Sequence, residues 1–256
     1  MSAAALTHPE LIGLPGRPWS RVPELHLVAT PLATHLYARI AHGRDSIVVP
    51  TRRVMPGISA IVLAGGKSSR MGRPKALLPI GTARETFLDR VTRTLADAGI
   101  EDIVVVVGAD AAIIRNQSRP AVGVRFVDNP DYERGQLTSL LAGLRAVDTA
   151  RASAVLVTLI DVPLVSADTV RTLIAVQRER GAPIVRPVSN GLHGHPVIFG
   201  RALFAELQDA DPAFGAKPIV RAHQAEMIEV PVDDQGAFTD IDTPEEYERI
   251  IGPLPR

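Results

Sequence analysis

Cysteine is absent from the 256 residues, which excludes a disulfide framework, a thiolate zinc site and a cysteine nucleophile. A chain without thiols suits a reducing compartment, so a cytoplasmic location is expected. Formal charge is zero. The broad basic field that grips a nucleic acid is therefore missing, and no nucleic-acid partner is expected. No apolar run reaches the roughly eighteen residues that a membrane helix needs, so no membrane partner is expected either. The length admits one large α/β domain or two small ones. Lysine is also scarce. Of 28 basic residues, only Lys67, Lys75 and Lys217 are lysine. Two of the three lie in residues 63–75, "LAGGKSSRMGRPK". Chance clustering is one account. The other is that a compact ammonium on a long stem is wanted there to reach a phosphate oxygen.

Residues 1–57 differ from the rest of the chain. Four of the seven histidines and six arginines against three acids are scattered through them without a 2 or 3.6 period. Residues 31–43 could form a short helix with Leu32, His35, Leu36 and Ile40 along one side, and the arginine excess faintly resembles a transit peptide. The simpler expectation is a disordered extension, or a start that belongs at Met55. From Ile58 onward, β-branched runs alternate with amphipathic segments, which indicates βαβ units and a mostly parallel sheet. Strands are expected at 58–64, 102–108, 124–129, 153–160, 183–188, 195–199 and 227–232. Helices are expected at 85–99, with Phe87, Leu88, Val91 and Leu95 on one face, and at 136–147, with Leu137, Leu140, Leu141 and Leu144. Thr243-Pro244-Glu245-Glu246 reads as a capping box with proline at the first helical position. The fold class is α/β, a Rossmann-like three-layer αβα sandwich, with residues 58–256 as one domain.

The letters Gly66-Lys67-Ser68 suggest a phosphate loop of the Walker A kind. That template needs a glycine at position 61, which is Ile61, so it fails. A dinucleotide-binding G-x-G-x-x-G fails too, because Gly65 and Gly66 are adjacent. What remains is a strand running into two glycines, where backbone N–H groups converge without a Cβ in the way and can cradle a triphosphate. Arg70 can grip phosphate oxygens bidentately, and Lys75, stiffened by Pro74, supplies a point charge. Leu63, Ala64, Gly65, Gly66, Lys67 and Ser68 complete the candidate nucleotide loop.

Asp161 follows a hydrophobic strand, at the end where open α/β sheets bind ligands. It either caps a helix starting near Ser166 or binds Mg²⁺, which takes one or two carboxylates and fills its other positions with water and phosphate oxygens. Asp240 and Asp242 sit two residues apart and point to the same side if extended. One of them could instead serve the following helix N-terminus. His193 and His195 could bind a metal but have no third soft ligand in view, and a role in shaping a pocket is the stronger expectation.

Residues 63–75 resemble the signature of nucleotidyltransferases of the molybdenum cofactor group, L-A-(A or G)-G-x-S-x-R-M-G-x-x-K. Residues 129–144 are similar to that family's N-P-x-(W or Y)-x-x-G-M-x-x-S segment, and further likeness at 159–165, 193–199, 214–223 and 239–247 carries the resemblance over 58–251. The resemblance implies Mg²⁺-dependent transfer of a nucleoside monophosphate from an NTP to the terminal phosphate of molybdopterin. Pyrophosphate leaves, and a recipient molybdoenzyme is the further partner that this scheme implies. It implies that Asp161 and Asp242 bind the metal, with Asp240 as second choice, and that Arg70 and Lys75 are catalytic. Asn129 and Gly135 would lie at the nucleotide, and Gln136, Ser139, His195 and Lys217 at the acceptor. The chain departs from the pattern at Gln136, where methionine is usual, and at Lys217, where the cytidylyl branch has arginine. The double glycine points to GTP, whereas 194–199 and 215–223 resemble the CTP branch, towards which the reading leans. Another phosphorylated acceptor, or a non-catalytic nucleotide-binding module, stays open as an alternative.

Overall fold

In the computed structural model, residues 25–28, 37–42, 45–50, 57–81, 85–149 and 151–254 are described. They fall into two compact units, Met1–Met55 and Pro56–Arg256. In the first, β1 (Leu25–Val28), β2 (Tyr37–His42) and β3 (Asp45–Pro50) form an antiparallel meander with β2 in the middle. This corrects the expectation of a helix reaching through 37–42. A short isolated helix carries the full cost of nucleation, whereas a central strand is hydrogen-bonded along both edges. The remainder of the expected extension lies outside the described residues.

The second unit opens with β4 (Gly57–Ala64), followed by the small hairpin β5 (Pro79–Ile80) and β6 (Glu85–Thr86). Helix α1 (Phe87–Asp97) starts at a capping box in which Thr86 and Asp89 exchange side-chain and backbone bonds of 3.1 and 3.2 Å. Phe87, Leu88, Val91 and Leu95 are all buried, each contributing about 1.5–3 kcal/mol. Then come β7 (Ile103–Val107), α2 (Ala111–Gln117), β8 (Val124–Asp128), α3 (Gln136–Ala146), β9 (Ala152–Leu159) and α4 (Ala167–Arg180). The chain continues through β10 (Ile184–Ser189), β11 (Leu192–His193), β12 (Val197–Gly200), α5 (Phe204–Gln208), α6 (Lys217–Ala222), β13 (Ile228–Pro231) and α7 (Pro244–Ile250).

One sheet runs β11-β10-β12-β9-β4-β7-β8, with β13 parallel to β10. The pairs β9·β4, β4·β7 and β7·β8 are parallel, whereas β12 is antiparallel to both β9 and β10. Alternation along β4 divides the core. Ala60, Val62 and Ala64 face the layer of α1 and α4, while Ile61 and Leu63 face α3, α5 and α6. The result is the three-layer α/β sandwich that the hydrophobic pattern implies. From β4 the chain moves outward through β7 to β8, then returns to place β9 on the other side. Strand order thus reverses at β4, and the crevice beyond the carboxyl ends of β4 and β9 is where such sheets bind ligands.

Candidate active site

Strand β4 is covered on both faces and emerges at Gly65 and Gly66. Three elements press together there. A Cβ at Gly65 would stand 3.0 Å from Ser139 Oγ, and one at Gly108, just past β7, would stand 2.6 Å from the Gly65 carbonyl oxygen. Only the missing side chains allow this approach. Beyond the glycines, Ser68 takes a left-handed φ of 50°. Its carbonyl accepts the N–H groups of Met71 at 2.9 Å and Gly72 at 3.2 Å. Its Oγ accepts the Lys75 N–H at 3.1 Å. The loop therefore folds back on itself, with Met71 as a buried anchor, and delivers Lys75 inward.

Lys75 is only 9% exposed, and a buried ammonium needs partners. Nζ donates to Asp161 Oδ2 at 3.2 Å and also to Asp242 Oδ1. Arg70 Nη2 donates to the other Asp242 oxygen at 2.8 Å. Two backbone devices bring these carboxylates together from distant parts of the chain. The Ile241 N–H donates to the Asp161 carbonyl at 2.9 Å, and Glu246 of the α7 capping box accepts the N–H groups of Asp242 and Thr243 at 2.7 and 3.0 Å. Asp161 does not cap α4, because Ser166 holds that position through its own Oγ.

Lys75 first, and Arg70 after it, hold the Asp242 carboxyl below its ordinary value against the opposing effect of burial. Asp240 is nearby but makes no bond to Lys75. Loss of surrounding water, then the Asp161 carboxylate, push its carboxyl up. Asp161 Oδ1 is buried and has no hydrogen-bond partner. Two hard carboxylates, one with an unmet oxygen, suit Mg²⁺ or Mn²⁺. No cluster of three or more metal-binding side chains occurs among the described residues, so a cation here would draw its remaining ligands from substrate and water.

These groups line a cavity of about 410 Å³ whose rim is the loop from Gly65 to Arg70, with Tyr132, Gln136 and Ser139 opposite. A second cavity of about 520 Å³ shares Leu63, Gln136 and Leu159 with it. The two spaces therefore meet at the first turn of α3. The second has an apolar floor that includes Leu140, Val157, Phe199 and Met227, and carries Arg186, Lys217, Arg221, His193 and His195 on its walls. Arg186 is held to Glu229 Oε1 through Nη2 at 2.5 Å and Nε at 3.2 Å, and His193 Nε2 lies 2.9 Å from the same oxygen. Lys217 and Arg221 stand four residues apart on α6, and neither has a carboxylate partner among the described residues. Burial holds the His195 imidazole below its ordinary value, and its Nδ1 is enclosed without a partner.

Of the expected site residues, Leu63, Gly65, Gly66, Lys67, Ser68, Arg70, Lys75, Gln136, Ser139, Asp161 and Asp242 line the first cavity. His195 and Lys217 line the second, which Gln136 also borders. Lys67 is ion-paired with Glu133 on an exposed edge. Ala64, Asn129 and Gly135 do not reach either cavity wall. Asn129 is instead a buried tie: Nδ2 donates at 2.9 Å to both Thr138 Oγ1 and Ser139 Oγ, and Oδ1 accepts the Asp131 N–H at 3.0 Å. It orients Ser139 from behind. Sequence reasoning missed Arg186 and Arg221. The signals were a lone charge inside the apolar run of 183–188 and a cation one helical turn beyond Lys217.

Residues 60–227 match the MobA-like NTP transferase domain. The molybdenum cofactor cytidylyltransferase of Escherichia coli K12 is 27% identical over 199 residues, covering 75% of this chain and 95% of that protein. A probable molybdenum cofactor guanylyltransferase of Mycobacterium avium is 32% identical over 177 residues, covering 68% and 86%. The crystal structure of Rv0371c from Mycobacterium tuberculosis H37Rv superposes with a TM-score of 0.66 at 28% identity, covering 77% of this chain and 98% of that one. A manganese complex of the same protein gives 0.62 at 26% identity, covering 77% and 98%. With the family model matching well over half its length and the glycine loop, Lys75 and the paired carboxylates assembled at one end of the sheet, the chain belongs to the MobA-like NTP transferases and is a nucleotidyltransferase.

Proposed function

We propose that the chain transfers a nucleoside monophosphate, CMP in first place and GMP in second, from an NTP to the terminal phosphate of a molybdopterin-type acceptor. One observation carries this reading: Lys75 lies between Asp161 and Asp242 in a glycine-rimmed cavity that shares Leu63, Gln136 and Leu159 with a second cavity lined by cations. The first space suits a triphosphate. The second, with its apolar floor and with Lys217 and Arg221 free of carboxylate partners among the described residues, suits an anionic acceptor with an apolar body. The names of the relatives support molybdopterin, and they include both cytidylyl and guanylyl enzymes. The segments around His195 and Lys217 favour CTP.

In the reaction, an acceptor phosphate oxygen attacks the α-phosphorus, the bond from that phosphorus to the bridging oxygen breaks, and pyrophosphate departs. No protein nucleophile is needed, because the attacking monoester is already ionised. The chain's task is alignment of two polyanions and neutralisation of the charge they bring together. Backbone N–H groups after β4 and the Arg70 guanidinium hold the outer phosphates. Lys75 holds the α-phosphate, and the start of α3 at Gln136, where the helix dipole favours anions, marks the meeting point with the acceptor. Asp161 and Asp242 would hold Mg²⁺, which supplies charge stabilisation at the phosphates when bound. The manganese complex of Rv0371c supports a divalent ion in this family.

The test is pyrophosphate release by the purified chain with Mg²⁺ and molybdopterin, comparing CTP, GTP, ATP and UTP. Release with CTP is expected. Release with GTP alone would transfer the assignment to the guanylyl branch, and silence with all four would overturn it. Asp161→Ala is expected to lower turnover by roughly 10²–10³-fold or more, as for loss of one transition-state charge contact, while circular dichroism stays unchanged. Wild-type release by that variant would remove Asp161 from the metal site.

A further inference from the structure

Four charged groups are bonded together at the floor of the first cavity, Asp161, Asp242, Lys75 and Arg70, with the Asp240 carboxyl close by but not bonded to Lys75. The Lys75 ammonium touches one oxygen of each carboxylate, and its side chain is only 10% exposed. Arg70 takes the second Asp242 oxygen, whereas the second Asp161 oxygen is buried with no donor at all. The carboxylate pair therefore presents more acceptor capacity than one ammonium satisfies, yet its central position is taken by the chain's own cation. A divalent ion and Nζ cannot both lie between these two carboxylates, because like charges at contact distance repel strongly in a partly buried site.

We propose that Lys75 is a built-in occupant of the Asp161–Asp242 cation site, so that divalent metal and triphosphate enter as a pair and metal alone binds weakly. Phosphate oxygens are what draw the ammonium off. They offer Lys75 the charge-assisted bonds it loses on leaving the carboxylates, and the metal then takes the vacated oxygens together with the orphaned Asp161 Oδ1. The loop supports such an exchange. The Lys75 backbone is pinned through its N–H to Ser68 Oγ, so the stem can swing while its base stays in place. The consequence is positive coupling between metal and nucleotide, and protection of the carboxylates from stray cations. The inference rests on the proposed function for the identity of the triphosphate and not for the cation exchange itself.

The experiment measures Mn²⁺ binding to the full chain by electron paramagnetic resonance, with no nucleotide or acceptor present. Wild type is expected to bind Mn²⁺ weakly, and Lys75→Met at least about tenfold more tightly. Asp161→Asn in the Lys75→Met background should abolish the gain. Arg70→Met removes a charge from the same cluster but vacates only the outer Asp242 oxygen, so a change under about threefold is expected, well short of the coupling that displacement would give. Lys75→Gln provides the same reading should the methionine variant fail to fold. Mn²⁺ affinity unchanged in the Lys75 variants would overturn the proposal, as would an equal gain in Arg70→Met, which would mean a general field and not occupancy. Because the readout needs neither NTP nor turnover, failure here leaves the transfer reading standing, and failure of the pyrophosphate assay leaves this one standing.

Discussion

At the scale of single residues, the chain uses charge where a bond network can hold it. Asp234 shows this away from the site. Its carboxylate accepts from Thr169 Oγ1 at 2.6 Å and from the N–H groups of Ser166 and Gly236 at 2.9 and 3.0 Å. Burial raises this carboxyl, but those bonds outweigh it, and the net effect is a value below the ordinary 3.8. A carboxyl lowered in the folded state contributes stability above its unfolded value and loses it as pH falls through the folded one. Asp234→Asn is therefore expected to cost about 1–2 kcal/mol at neutral pH, given three bonds to a partly solvated charge. The gap to wild type should narrow below pH 3.8. Urea midpoints at neutral pH and at pH values below that point check it; a constant gap would remove the charge from the account. Lys75 was legible at this scale, because a chain that uses arginine almost everywhere places lysine beside two glycines. Arg221 was much less so: among twenty-five arginines its one distinguishing mark is a place one helical turn beyond Lys217.

At the scale of elements, packing decides how closely the site's parts approach. Helix α3 carries Gln136 and Ser139 into the first cavity and lies on β4 through Gly143. A Cβ there would stand 2.5 Å from Ile61 Cγ2 and 3.1 Å from Val106 Cγ2. Gly143→Ala gains roughly 0.8–1 kcal/mol of helix propensity, but overpacking against two β-branched side chains costs about 1–3 kcal/mol. A net loss of stability is expected in urea unfolding, accompanied by slower pyrophosphate release as α3 shifts. A variant as stable and as active as wild type would show that the helix can move without consequence. The hydrophobic pattern marked α1, α3 and strands β4, β7, β8, β9 and β10 to within about two residues, and the α7 capping box was readable from four letters, whereas the two-residue strands β5 and β6 and helix α2 were not among the expected elements. Strand direction was not. Hydropathy marks β12 as a buried strand but does not say that it runs antiparallel between β9 and β10. The apolar spacing of the β2 segment admits a helix, beside the simpler expectation of a disordered extension, and its pairing partners are separate stretches of sequence.

At the scale of the whole molecule, all of the proposed machinery falls in Pro56–Arg256, and the family match begins at residue 60. A chain comprising residues 57–256 is expected to unfold in one cooperative step and to keep metal-dependent pyrophosphate release within about threefold of the full chain, as an autonomous domain should. A larger loss would assign part of the function to the first 56 residues.

The sequence by itself determined the α/β class, the glycine loop that is neither Walker A nor Rossmann, and Arg70, Lys75, Asp161 and Asp242 as the charged candidates, because each depends on local spacing and residue type. Only the tertiary structure decided which of these groups meet. Asp161 and Asp242 are brought to one ammonium by a single backbone bond from Ile241 to Asp161 and by the α7 cap. Asn129 is turned away from the cavity by three hydrogen bonds, two of them fully buried. Arg186 reaches the second cavity through the pairing of β10 with β13. Such meetings depend on sheet order and on contacts between residues far apart in the chain, and no local pattern encodes them.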